Sequence, residues 1–149
     1  MVYRKTGSGS WKKIATVKGG TKTTYTDKKA TKNGTTYQYR VKAYHGNNYS
    51  TYTTKKIVFL TAPKAPTATS TKTGVNLKWK KNAKAAGYII ERKAGSGKWT
   101  KLTTVKKNAT VSYLDKSAKK GVTYQYRLIA YKSSYKSAAG TAVKIKDKY

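Results

Sequence analysis

The sequence contains no cysteine, a single histidine and only four acidic residues in 149. Without cysteine there is no disulfide framework, no thiolate nucleophile and no sulfur ligand for a metal. Small β domains exported by eukaryotes often carry disulfides, so the absence suits a cytosolic protein and a Gram-positive secreted one equally. The one imidazole, His45, sits beside Gly46-Asn47-Asn48 and reads as a solvated loop residue, which leaves a Ser-His-Asp site without its base. The acids Asp27, Glu91, Asp115 and Asp147 are too scattered for a calcium cage or a catalytic carboxylate pair. Long apolar runs are also missing: the longest, Ile57-Val58-Phe59-Leu60, falls far short of a membrane span. Met1 leads directly into strand-like sequence, with no signal-peptide pattern. The expectation is a non-enzyme with no cofactor, no metal and no membrane insertion.

Basic residues are abundant instead. Thirty-four lysines and arginines against the four acids give a net charge of +30. Only Arg4, Arg40, Arg92 and Arg127 are arginine. Base-edge readout and stacking favour arginine, so an even lysine coat points to non-specific, salt-sensitive contact with anionic polymers. Nucleic acid is expected to bind only non-specifically.

The chain repeats itself. Arg4-Lys5-Thr6-Gly7-Ser8-Gly9-Ser10-Trp11 returns as Arg92-Lys93-Ala94-Gly95-Ser96-Gly97-Lys98-Trp99, and Thr36-Tyr37-Gln38-Tyr39-Arg40 as Thr123-Tyr124-Gln125-Tyr126-Arg127. The offsets are 88 at Arg4/Arg92 and 87 at Tyr37/Tyr124, the length of a domain. Within each copy, apolar and polar residues alternate as in half-buried strands. Val75, Leu77 and Trp79 oppose Asn76, Lys78 and Lys80. Tyr37, Tyr39, Val41 and Ala43 form one inward set, and Tyr124, Tyr126, Leu128 and Ala130 the other. Gly7-Ser8-Gly9 and Gly95-Ser96-Gly97 read as hairpin tips. They lack the following helix that a phosphate loop requires. Asp27 and Asp115 share a repeat position and read as turn caps. The only two prolines, Pro63 and Pro66, mark a short, stiff boundary, with modules expected over residues 1–61 and 62–149.

Pro63-Lys64-Ala65-Pro66, Val75-Asn76-Leu77-Lys78-Trp79, Gly87-Tyr88-Ile89-Ile90-Glu91-Arg92 and Gly121-Val122-Thr123-Tyr124-Gln125-Tyr126-Arg127 together resemble fibronectin type III domains, of the variety found in bacterial surface proteins and extracellular enzymes. The resemblance covers the whole chain. It implies an all-β tandem of immunoglobulin-like sandwiches, with Trp79 on strand B and Tyr88 and Ile90 on strand C. Tyr124, and Tyr37 in the first copy, would form a tyrosine corner whose hydroxyl bonds to nearby backbone. The structural core is then Trp79, Tyr88, Ile90, Tyr124, Tyr126 and Leu128, with Tyr37 and Tyr39 in copy one. Trp11 and Trp99 follow the hairpin tips.

Copy one departs from this pattern: it matches only from Val2-Tyr3-Arg4 onward and has no counterpart of residues 63–89. It is expected to hold strands C to G only and to expose an inner face and a sheet edge. The first expectation is a piece of a longer multi-module protein; the second is completion by another chain through strand exchange, with self-association. Tyr44, Tyr49, Tyr52, Tyr131 and Tyr135 sit at or just after the F–G turn of each copy, and Tyr49, Tyr52 and Tyr135 are the candidate ligand-contact aromatics. The functional expectation is a non-catalytic spacer or adhesive segment of a bacterial extracellular or cell-wall protein. Its partners are other modules and anionic wall polymer or polysaccharide. The alternatives are an accessory module of a polysaccharide or cell-wall hydrolase and a subunit of a surface filament.

Overall fold

The computed structural model describes residues 1–149 and contains no helix. Its contacts divide the chain into two compact units, Met1–Phe59 and Leu60–Tyr149.

The second unit is a two-layer sandwich. One layer is the antiparallel sheet β11-β8-β7, built from Ser112–Asp115, Gly74–Lys78 and Thr67–Thr71. The other is β10-β9-β12-β13, from Thr100–Val105, Gly87–Ala94, Thr123–Lys132 and Tyr135–Lys136. The last strand, β14 (Val143–Lys146), pairs with the start of β12. Period-two alternation decides which residues meet between the layers. Val75 and Leu77 of β8 point inward with Trp79, and Tyr88 and Ile90 face them from β9. Tyr124, Tyr126, Leu128 and Ala130 of β12 complete the core. Trp79 and Tyr88 meet edge to face at 5.5 Å, a favoured arrangement for two ring quadrupoles. Asp147, buried just after β14, accepts a hydrogen bond from the Ser70 hydroxyl and so ties the end of the chain to β7.

The first unit contains one of these layers. Its sheet β2-β1-β3-β6 runs through Lys12–Ala15, Val2–Thr6, Thr36–Val41 and Thr53–Val58. It reproduces β10-β9-β12-β14 strand for strand. A two-residue hairpin, β4 (Tyr44–His45) with β5 (Asn48–Tyr49), stands where β12 and β13 meet in copy two. Gly46 at its tip has φ 56°, and Ser133 adopts 52° at the matching turn, a left-handed conformation unusual for serine. The sequence gives no warning of Ser133, since serine carries no φ preference of that kind.

Nothing in the first unit corresponds to β7 or β8. In copy two, β11 forms by pairing with β8, Tyr113 opposite Leu77 and Asp115 opposite Val75. The equivalent Tyr25 and Asp27 have no such partner, and residues 23–27 form no strand. The inward set of copy one therefore does not become a closed core. Tyr37 is buried and Tyr39 half-buried, but Val41 is 45% exposed where its counterpart Leu128 is fully buried, Ile57 is 38% exposed, and Ala43 also lies open. This is the open inner face expected of a copy without a counterpart of residues 63–89. The alternation that puts Val41 and Ala43 on the inner face is present; the layer that would cover it is not.

The tyrosine corners form in both units. Tyr124 Oη accepts from Lys119 N at 3.1 Å, and Tyr37 Oη from Lys32 N at 3.3 Å. Removing one such bond leaves a backbone N–H without its partner. Tyr124→Phe is therefore expected to lower the stability of the second unit by about 1 kcal/mol. Urea unfolding would measure this; an unchanged midpoint would mean that water replaces the phenol fully.

Candidate functional site

All four acids are engaged inside the units. Asp27 accepts from Arg4 at 2.8 Å, from Tyr39 at 2.9 Å and from Lys29 N at 3.0 Å. Asp115 accepts from Arg92 at 2.7 Å, from Tyr126 at 2.8 Å and from Ser117 through both N and Oγ. Glu91 accepts from Arg127 Nε at 2.6 Å, and Asp147 from Ser70. The turn-cap reading of Asp27 and Asp115 holds, but each also receives a tyrosine hydroxyl and an arginine. Burial alone would raise the pKa of Asp115; the hydrogen bonds from Ser117, Arg92 and Tyr126 outweigh it and hold the carboxyl below its ordinary value. Burial and Asp27 together push Tyr39 up to about 12.

The three ion pairs of the chain all use arginine, so no lysine is neutralised by a carboxylate. Arg40 is the one arginine without an acid. In copy two its equivalent, Arg127, pairs across the strands with Glu91 and lies 4.2 Å over the Trp99 ring. In copy one the cross-strand neighbour of Arg40 is Tyr3. Its guanidinium lies 4.5 Å from the Trp11 ring centroid, 4.1 Å from Tyr52 and 5.2 Å from Tyr3. Arg40 Nε is buried and has no hydrogen-bond partner. Cation–π contact supplies about 0.5–2 kcal/mol per pair and partly replaces the lost ion pair, but it offers no acceptor for that N–H.

Other differences between the copies fall on the same face. Ser50 and Ser137 make the same bonds, accepting from Ala43 N and Ala130 N and donating to the next residue's carbonyl, which fixes the alignment here. Lys42 stands at the position of Ile129, Tyr49 at that of Lys136 and Tyr52 at that of Ala139. Lys42 Nζ lies 3.8 Å over Tyr49 and 5.3 Å from the Tyr52 centroid. Tyr49 and Tyr52 are 50% and 41% exposed. Tyr3 and Tyr52 meet edge to face at 5.5 Å. Their shared hydrogen bond raises the Tyr3 pKa. At Tyr52 the loss of solvation pulls upward, but that bond and the charges of Lys42 and Arg40 prevail and lower the pKa.

The structure thus brings Tyr49 and Tyr52 together on the outer face of the first sheet. Tyr135, in contrast, stands apart in the second unit, on β13 opposite Lys132. Sequence reasoning missed Tyr3, Trp11, Arg40 and Lys42 as members of this group. The signal was available in the alignment of the two copies, where Glu91 becomes Tyr3 and Ile129 becomes Lys42. On the opposite, inner face of the same unit an apolar groove of about 930 Å³ is bounded by Val2, Val17, Tyr25, Val41, Ile57 and Phe59. Neither face gathers three or more histidine, cysteine or acidic side chains. No helix is long and apolar enough to cross a membrane.

Among solved structures the chain is similar to a two-domain fibronectin type III segment of chicken tenascin, at 17% identity and a TM-score of 0.53, over 97% of this chain and 82% of that one. The chicken CNTN1 FN1–FN3 domains match at 19% identity and a TM-score of 0.50, over 99% of this chain and 53% of that one. A myokine structure matches at 17% identity and a TM-score of 0.51, over 60% of this chain and 98% of that one. No protein-family model matches, and no curated protein matches. The fold is that of a fibronectin type III-like tandem, with the second unit a closed β-sandwich and the first lacking one layer.

Proposed function

We propose that this chain is a non-catalytic structural and adhesive segment of a bacterial extracellular or cell-wall-associated protein, holding neighbouring modules and contacting anionic polymers through its lysine coat. The observation that carries this reading is the charge arrangement. Thirty lysines (34 basic residues less four arginines) meet no carboxylate, because the four acids are bound to arginine or to Ser70. An uncompensated coat of that size attracts any polyanion, and its attraction is screened by salt. The fold adds support, since sandwiches of this kind commonly serve structural and adhesive roles. The acids that a hydrolytic site would need are spent on internal bonds.

Retention on immobilised heparin or purified wall polymer, measured against salt, tests the reading. The apparent affinity is expected to fall at least about tenfold between about 0.05 and 0.2 M salt. Retention that is flat across that range would contradict a lysine-driven contact. Turnover of a polysaccharide that co-purifies with the chain through several columns would overturn the non-catalytic reading.

A second reading is favoured by the open groove of the first unit: a surface assembly in which another chain supplies the missing strands. The net charge of +30 works against pairing of identical copies. Light scattering after size exclusion decides, since a monomer at all concentrations removes self-assembly.

A further inference from the structure

We propose that the outer face of the first unit is a binding site for a carboxylate-bearing polysaccharide, centred on Arg40, Lys42, Tyr3, Tyr49 and Tyr52. This rests on the reading that the chain contacts anionic polymers, and it names one place and one ligand class for that contact.

The two copies provide the comparison. Copy two carries the same sheet with the same tryptophan and arginine, and there Glu91 satisfies the guanidinium of Arg127 at 2.6 Å. There the arginine charge is balanced, although Lys93 lies 5.4 Å from the same Trp99 ring. Copy one has the same scaffold with the acid removed, a second cation added at Lys42 and three tyrosines brought around the pair. Leaving a buried guanidinium N–H without an acceptor costs stability, which the ring contacts of Arg40 offset only in part. Nε itself is closed to solvent, so an external oxyanion would meet the terminal nitrogens of the guanidinium, whose charge no carboxylate balances. By register the charged groups on this face are Arg40 and Lys42 with Lys5, Lys13 and Lys56, and none of them has a carboxylate partner.

Carboxylate-bearing sugars fit better than single-stranded nucleic acid. Unstacked bases need free aromatic faces. Here a face of Trp11 and a face of Tyr52 are already covered by the guanidinium of Arg40, and a face of Tyr49 by Lys42. What stays available is the edge chemistry: the terminal nitrogens of the guanidinium, an ammonium and the exposed Tyr49 and Tyr52. Planar carboxylates match the terminal nitrogens, and the hydroxyls of a sugar chain match the phenols.

The test uses the full chain and polygalacturonate as probe, at near-physiological salt, with oligo-thymidylate in a parallel arm. Tyr3→Glu installs the acid that copy two already carries in an equivalent strand, and Lys42→Ile installs the copy-two residue. Lys120→Gln, a change in the second unit, removes as much charge as Tyr3→Glu. The expected result is about a tenfold loss of polygalacturonate affinity for each of the first two variants and less than about a twofold loss for Lys120→Gln, in line with one charge-assisted contact. Equal losses for all three would overturn the site and leave only the diffuse coat. Tighter binding of oligo-thymidylate than of polygalacturonate, with the same sensitivity to Tyr3→Glu, would overturn the assignment to a glycan. No binding of polygalacturonate by the unmodified chain, even at low salt, would remove both the site and the coat that underlies it.

Discussion

Asp115→Ala is expected to destabilise the second unit by about 3–5 kcal/mol, the range for breaking a buried, hydrogen-bonded ion pair from one side. The carboxylate is 1% exposed and serves four donors at once: Arg92, the Tyr126 hydroxyl, Ser117 N and Ser117 Oγ. Removing it strands the fully buried Tyr126 phenol between the layers and leaves Arg92 with Ser117 Oγ as its one remaining acceptor. Asp27 does the same work in the first unit for Arg4, Tyr39 and Lys29 N, but it lines the open groove, where water can replace it. Asp27→Ala is therefore expected to cost only about 1–2 kcal/mol. Trp11 is the only tryptophan of the first unit, so denaturation of a Trp11→Phe background, followed by fluorescence, reports Trp79 and Trp99 in the second unit alone.

The same carboxyl sets a pH dependence. Its pKa is lowered by folding, so its contribution to stability is complete above the unfolded value of about 3.9 and is lost as the pH falls through the lower folded value. Acid should weaken the unmodified second unit below about pH 4 more steeply than it weakens the Asp115→Ala variant. Equal costs for Asp27→Ala and Asp115→Ala, or parallel acid profiles for variant and parent, would show that burial of this carboxylate does not govern the sandwich.

Most of the second unit can be read from its sequence because alternation and turn chemistry agree there. Val75-Asn76-Leu77-Lys78-Trp79 has one apolar face, that face finds a layer to pack against, and each inward residue is buried. At Val41 and Ala43 the alternation is the same, but the missing counterpart of residues 63–89 leaves that face open. Periodicity reports which face a side chain takes, not whether anything covers that face. The role of Asp115 was half legible. A short acceptor before a turn predicts the bond to Ser117 N, while the long-range partners Arg92 and Tyr126 come together only when β9, β11 and β12 assemble. The aromatic and cationic group around Arg40 was legible only by difference. Tyr3, Arg40 and Tyr49 are ordinary strand residues and Trp11, Lys42 and Tyr52 ordinary strand flanks, so the missing Glu91 equivalent is what marks them.

The first unit is expected to gain roughly 2–4 kcal/mol when a copy of residues 63–89 is placed ahead of Val2 in exchange for Met1, with Ser70 of that copy changed to valine. The junction follows the repeat, in which Val2 takes the place of Ile90. In the second unit this segment contributes β7 and β8, pairs with β11 and closes the sandwich. In the first it would let residues 23–27 pair as β11 does and would cover Val41, Ile57 and Tyr25, which are now exposed. Burying the open part of side chains of this size supplies about 1 kcal/mol each, and strand pairing adds to it, less the entropy of ordering the graft. The valine is required because the copies differ at one contact. Phe59 and Asp147 occupy the same place, each with its carbonyl accepting from the glycine before the tyrosine strand, Gly34 at 2.7 Å and Gly121 at 2.8 Å. Asp147 calls for the Ser70 hydroxyl, whereas Phe59 presents an apolar ring to the groove. Amide hydrogen exchange in residues 36–41 and 53–58 gives the readout, with slowing of about 30- to 800-fold expected from that gain. The unmodified serine graft should slow exchange less, because its hydroxyl would be buried against an aromatic ring with no acceptor. Unchanged exchange with both grafts would mean that the inner face of the first unit is not shaped for the strands that its repeat carries.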